Sequence, residues 1–191
     1  MALYPRYVLQ VDEATGNDTQ GSGSSATVKD SDSISGTTLV ITNAAGGSTI
    51  TKADATAFAG PPVAGVDTIV YTNTVGGLQL NHIATISGDN KTITTPETAS
   101  TGTSTGNPWG VGGRFDTIAR AALVVAPTNT NAGADDHVYV KAGTYTATVK
   151  VTFAKAGSRS RMLVYEGFTT TPGDGGQTTF DITATATRGF E

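Results

Sequence analysis

Two histidines, sixteen carboxylate side chains and no cysteine are what this 191-residue chain offers to chemistry. Cleavage of a polysaccharide needs clustered carboxylates, often beside a basic residue or a calcium ion. The acidic candidates in the second half are Asp135, Asp136, Glu166, Asp174 and Asp181. Asp135 and Asp136 stand where a turn leads into a strand, and Asp174 lies within "PGDGG", a turn in its own right. Both are routine places for aspartate. Structural roles are expected, and no residue is assigned a catalytic one. His82 and His137 have no Cys or Glu at metal-ligand spacing, so both read as surface or turn-facing. "GVGG" (110–113) precedes a helical segment but lacks the Lys-Ser/Thr of a phosphate loop and the strand of a dinucleotide fold. "ATGNDT" (14–19) has too few carboxylates for a calcium loop. No metal and no cofactor is expected.

Composition says what must position these groups. Only 15% of residues are charged, and there are 24 glycines. Thr and Val favour pleated, half-buried surfaces, while Gly and Asn favour turns, so the chain reads as all-β. The net charge is −4 with no Lys/Arg cluster, which argues against nucleic acid as a partner. No apolar stretch reaches transmembrane length, so no membrane partner is expected. The start, "MALYPRYVLQV", lacks the long apolar core of a secretory signal. Either the protein folds in the cytoplasm or a signal has been removed, and Met1 favours the first.

The pattern along the chain begins with a strand, Tyr7 to Val11, and a Gly/Asn/Asp loop; residues 1–23 form this N-terminal piece. Residues 24–98 hold a run of short strands: "TTLVIT" (37–42), "STITK" (48–52), "DTIVYT" (67–72), "LNHIATIS" (80–87) and "KTITT" (91–95). Their Gly/Asn turns suggest a small barrel or sandwich. Residues 99–113 read as a linker loop, with Trp109 plugging it onto a core. The period then changes. Over 114–127 the apolar residues Phe115, Ile118, Ala119, Ala122, Leu123 and Ala126 fall on one helical face, and Pro127 ends the helix. After it the strand period returns. Val138 and Val140 alternate with Tyr139 and Lys141, and Gly143 turns the chain. Tyr145, Ala147, Val149, Val151 and Phe153 then share a face. Residues 161–168 and 178–190 read as further strands.

The order of these pieces resembles the N-terminal part of pectate-lyase-like right-handed parallel β-helix proteins. The residues that carry it are "ATGNDT" (14–19), "RFDTIARAAL" (114–123), "DDHVYVKAGTYTATVKV" (135–151) and "RMLVYEGFTTTPGDGGQTTFD" (161–181). The resemblance covers roughly 7–20 and 107–191 and leaves the middle as an insertion. It implies a helix capping the first coil, with 135–191 as the first coils and Val138, Val140, Val149 and Val151 inside. At roughly 20–25 residues per coil, 137–191 hold about two, and repeat folds need about three. The chain is therefore expected to continue past Glu191, or sister chains to cover the edge.

The combination is similar to structural proteins of tailed bacteriophages. It implies a non-enzymatic tail fibre, tailspike or capsid decoration, assembled in the host cytoplasm into the virion. The implied partners are a homotrimer of the chain, capsid or tail proteins, and host-surface glycan through downstream coils. The rival is the N-terminal part of a secreted carbohydrate-active β-helix enzyme or adhesin.

Overall fold

The chain is mostly β. The computed structural model describes residues 7–44, 46–125, 136–147, 151 and 163–182. In chain order the elements are β1 (Val8–Val11), β2 (Val28–Ser31), α1 (Asp32–Ser35), β3 (Leu39–Ala44), β4 (Gly47–Lys52), β5 (Thr68–Asn73), β6 (Gly77–His82) and β7 (Thr85–Ile86). There follow β8 (Thr92–Thr95), β9 (Gly102–Thr103), β10 (Trp109–Gly112), α2 (Ile118–Val125), β11 (Asp136–Lys141), β12 (Gly143–Ala147), β13 (Leu163–Phe168) and β14 (Thr178–Ile182). They fall into two units: Thr19–Arg114, and Met1–Asp18 together with Phe115–Glu191.

The unit Thr19–Arg114 is built from two antiparallel sheets, ordered β2-β10-β5-β6 and β7-β8-β4-β3-β9. Alternation decides what each strand buries. In β4, Ser48, Ile50 and Lys52 are buried while Thr49 and Thr51 are half-buried. Leu39, Ile41, Ile50 and Ile93 of one sheet share a single apolar cluster with Ile69, Tyr71, Trp109 and Val111 of the other. Among the described residues the sheets stay separate and close no barrel.

Residues 99–113, expected as a linker, instead supply β9 and β10, and β10 lies inside its sheet between β2 and β5. Trp109 is 1% exposed, its ring edge-on to Phe58, and its indole N–H donates to the Thr37 carbonyl at 2.7 Å. "LNHIATIS", read as one strand, is broken at Ile83–Ala84, so that β6 and β7 serve different sheets.

The glycines of "GVGG" are explained by a crossing chain rather than a phosphate. A Cβ on Gly110 would lie 1.9 Å from the Gln20 carbonyl oxygen, a contact no side chain tolerates. Beside it, Ser22 N–H donates to Gly112 O and Gly23 N–H to Gly113 O, both at 2.7 Å. The two ends of this unit are thus bonded to each other.

The other unit is parallel. β1, β11 and β13 form a three-stranded sheet in register: Leu9 pairs with Val138 and Val138 with Tyr165; Gln10 pairs with Tyr139 and Tyr139 with Glu166. β12 and β14 form a second parallel pair, Gly143 with Thr178 through Ala147 with Ile182. Leu9, Val11, Val138, Val140, Tyr145 and Val151 are buried, as the alternation requires. Val149 and Phe153 lie outside the described residues.

The helix starts later than expected, and Leu123 of its expected buried face is exposed. It runs Ile118–Val125 and buries Ile118, Ala121, Ala122, Val124 and Val125. Leu123, expected in the buried face, is 51% exposed. At about 100° per residue, Leu123 lies about 140° from Ile118 around the axis. The run "AALVV" is apolar all round, so hydrophobicity alone does not fix which side faces inward. Ala126 and Pro127 lie outside the described residues.

Candidate functional site

The polar side chains gather where β1 leaves its sheet and where the helix begins. Asp12 follows β1 and is 2% exposed. Its carboxylate accepts the Ala14 N–H at 3.1 Å, the Thr15 hydroxyl at 2.7 Å and the Lys141 ammonium at 2.9 Å. Burial alone would raise its pKa; the Thr15 hydroxyl, Lys141 and the Ala14 N–H outweigh that and hold it at about 2. Beside it an open cavity of about 210 Å³ is lined by Asp12, Glu13, Lys141, Gly143 and Tyr145. The Tyr145 hydroxyl donates to the Lys141 carbonyl at 3.1 Å, and its pKa is pushed up to about 12, first by burial and further by the charges of Asp12, Glu13 and Asp116. The corner is thus a set of locked pairs in which the carboxylate and the phenol are both far from neutral-pH titration.

Gly16 and Asp18 of the "GND" loop have different tasks. A Cβ on Gly16 would sit 2.1 Å from the Phe115 carbonyl oxygen, so only glycine lets the loop pass there. Asp18 accepts the N–H groups of Asp116 and Thr117 at 2.8 and 3.0 Å, and the Thr117 hydroxyl donates to it at 2.5 Å. Thr117 Oγ1 in turn accepts the Arg120 N–H at 3.1 Å. Thr117 is the residue before α2, so it caps the helix and Asp18 extends the cap. The Asp116 carboxyl is shifted upward by burial and by the charges of Asp18 and Glu13.

Among the described residues, Asp136, Asp174 and Glu166 of the carboxylates singled out from sequence are not brought together. Asp136 is buried and accepts the Tyr7 N–H at 3.0 Å. Asp174 accepts the N–H groups of Thr169, Thr170 and Thr171 at 2.8, 2.8 and 2.9 Å, which lowers its pKa. Glu166 lies on β13, with an oxygen 3.9 Å from His137 Nδ1, and the His137 ring is 5.6 Å from that of Tyr139. Asp181 pairs with Thr146 across β12 and β14. Asp135 lies outside the described residues.

His82 corrects the sequence reading. It is not turn-facing: its side chain is 12% exposed, and its Nδ1 lies 2.5 Å from Glu97 Oε1. Glu97 Oε2 also accepts the His82 backbone N–H at 3.1 Å, on edge strand β6. Nothing local pairs these residues; loop closure does. A second pair is deeper. Lys52 Nζ donates to Asp30 Oδ2 at 3.1 Å, the side chains 3% and 0% exposed. Asp30, Lys52, Glu97, Asp12 and Asp18 were all missed from sequence, because each has a charged or capping partner distant along the chain. Among the described residues no group of three or more His, Asp or Glu is placed to hold a metal ion.

No protein-family model, curated protein or solved structure matches the chain significantly. What the fold and its polar pairs define is a class by architecture alone: a β protein in which an antiparallel two-sheet unit interrupts a parallel one.

Proposed function

We propose that this chain is a structural component of a tailed-phage virion, a fibre, spike or capsid decoration. In this reading its parallel unit begins a right-handed β-helix, α2 caps that coil, and Thr19–Arg114 is an inserted β-sandwich. The observation that carries the reading is the in-register stacking: β13 repeats β11, β14 repeats β12, and each is parallel to its predecessor. A solenoid has this form, because each coil offers its unpaired edge to the next. The Asp12, Asp18, Asp136 and Asp174 carboxylates each serve the backbone, which suits a role in assembly. Its partners are other copies of the chain, most simply a trimer closing exposed edges, and capsid or tail proteins. Light scattering on the purified chain tests this: a trimer mass at all working concentrations supports a fibre or spike. A monomer at high concentration removes that form and leaves decoration. A chain that also fails to bind any capsid or tail protein of its phage ends the virion reading.

One feature favours the rival, the N-terminal part of a carbohydrate-active β-helix enzyme or adhesin. Gln10, Tyr139 and Glu166 form one rank across three parallel strands, a mix of amide, aromatic ring and carboxylate suited to sugar hydroxyls. Release of fragments from pectate, alginate or capsular polysaccharide, lost in Glu166→Gln, would establish that alternative.

A further inference from the structure

We propose that Lys52 and Asp30 condense to an intramolecular isopeptide bond that ties together the two sheets of Thr19–Arg114. Lys52 ends β4 in one sheet and Asp30 lies in β2 of the other. Their side chains are 3% and 0% exposed and 3.1 Å apart, nitrogen to oxygen. The surroundings are apolar: the Phe58 ring centroid is 5.7 Å from Lys52 Nζ, and Phe58 packs edge-on against Trp109. Two opposite charges held out of water are costly, and a neutral amide in the same place removes both.

The hydrogen bonds around Asp30 suit the reaction. Oδ1 accepts the Ser31 N–H at 2.8 Å, and Oδ2 accepts the Ala59 N–H at 3.0 Å as well as Lys52. Two backbone donors, one on each oxygen, polarise the carboxyl carbon, and the Ser31 N–H on Oδ1 stabilises the oxyanion formed on attack. A proton passes from the Lys52 ammonium to Oδ2 along their hydrogen bond, giving a neutral amine and a neutral acid. The nitrogen lone pair adds to Cγ, and the carbonyl electron pair moves onto Oδ1, held by Ser31 N–H. A second nitrogen proton passes to the Oδ2 hydroxyl, which leaves as water as the Oδ1 carbonyl re-forms. One C–N bond forms, one C–O bond breaks, and the opposite charges cancel, so no further reactant is needed. Burial holds the amine against the carboxyl and keeps bulk water from reversing the step. In a chain without cysteine, the bond would supply the cross-link between sheets that a disulfide cannot.

The test is the mass of the purified full chain, denatured before measurement. The bond predicts the sequence mass less one water, after allowing for the state of Met1. It also blocks trypsin at Lys52, so residues 30–91 are released as one peptide with an internal loop from 30 to 52, instead of 30–52 and 53–91. Lys52→Arg should restore the full sequence mass. If that variant fails to fold, the wild-type mass and peptide still decide. The full sequence mass with normal cleavage at Lys52, or a lost water located elsewhere, overturns the proposal.

Discussion

Replacing Asp12 with Asn should cost the parallel unit about 2 kcal/mol at neutral pH and almost nothing in strong acid. The carboxylate is 2% exposed and its pKa falls from the ordinary 3.8 to about 2. At about 1.36 kcal/mol per pH unit, a fall from 3.8 to about 2 corresponds to about 2 kcal/mol. The sign follows from the direction. A carboxylate with a depressed folded pKa stabilises the fold above its unfolded pKa, and the contribution is lost as pH falls through the folded value. The stabilisation is therefore nearly full above about pH 4, mostly lost by about pH 2 and gone below it. Asn keeps an acceptor for Ala14 N–H but leaves Lys141, 34% exposed at its side chain, without its partner anion. The assay is amide hydrogen exchange of β1 and β11 from pH 7 to pH 2, since it reads this unit alone. The sole tryptophan, Trp109, lies in the other unit, so its fluorescence transition reads that unit separately. Equal protection in wild type and Asp12→Asn at neutral pH would refute the reasoning. So would a difference that persists undiminished at pH 2.

Ile118→Ala should destabilise the parallel unit by about 2–4 kcal/mol, whereas Leu123→Ala, on the exposed side of the helix, should change it by under about 1 kcal/mol; thermal unfolding ranks the two. Asp18→Ala removes the acceptor shared by Asp116, Thr117 and its hydroxyl, and should cost about 1–2 kcal/mol with faster exchange at the start of α2. Trp109→Phe leaves the Thr37 carbonyl without its indole donor and should cost about 1–3 kcal/mol, read by denaturant unfolding of the antiparallel unit followed by circular dichroism. Residues 19–114 expressed alone should give dispersed amide resonances, because their ends are bonded to each other at Ser22–Gly112 and Gly23–Gly113; a collapsed spectrum would show that this closure is insufficient.

What the sequence made legible was whatever alternation or turn chemistry writes locally. Val138 and Val140 against Tyr139 and Lys141 marked β11 and its buried side, and the short Thr/Ile/Val runs marked β3, β4, β5 and β8. Glycine hid the rest. Trp109–Gly112 looks like a loop because half its residues are Gly, yet Gly110 is demanded by the carbonyl of Gln20 crossing above it. The helix was found, and Phe115, Ile118 and Ala122 of its expected face are buried, but Leu123 is not, since the run of Ala, Leu and Val after Arg120 offers no polar residue to mark the outer side. The polar pairs were illegible for a different reason. Asp18 caps a helix that begins beyond the whole inserted unit, and Asp30–Lys52 and His82–Glu97 meet only through sheet packing and loop closure. No spacing rule links residues that tertiary structure alone brings together.

The parallel stacking on which the account rests can be tested with introduced thiols, because the chain has no cysteine of its own. Tyr139 and Glu166 face each other across β11 and β13, while Gln10 and Glu166 are separated by the intervening strand. Neighbouring strands lie about 4.8 Å apart, and a disulfide needs Cα atoms within about 7 Å. Under mild oxidation, Tyr139→Cys/Glu166→Cys should close within one chain and Gln10→Cys/Glu166→Cys should stay reduced. The opposite pattern, or no closure in either variant of a folded protein, would contradict the stacked parallel coil.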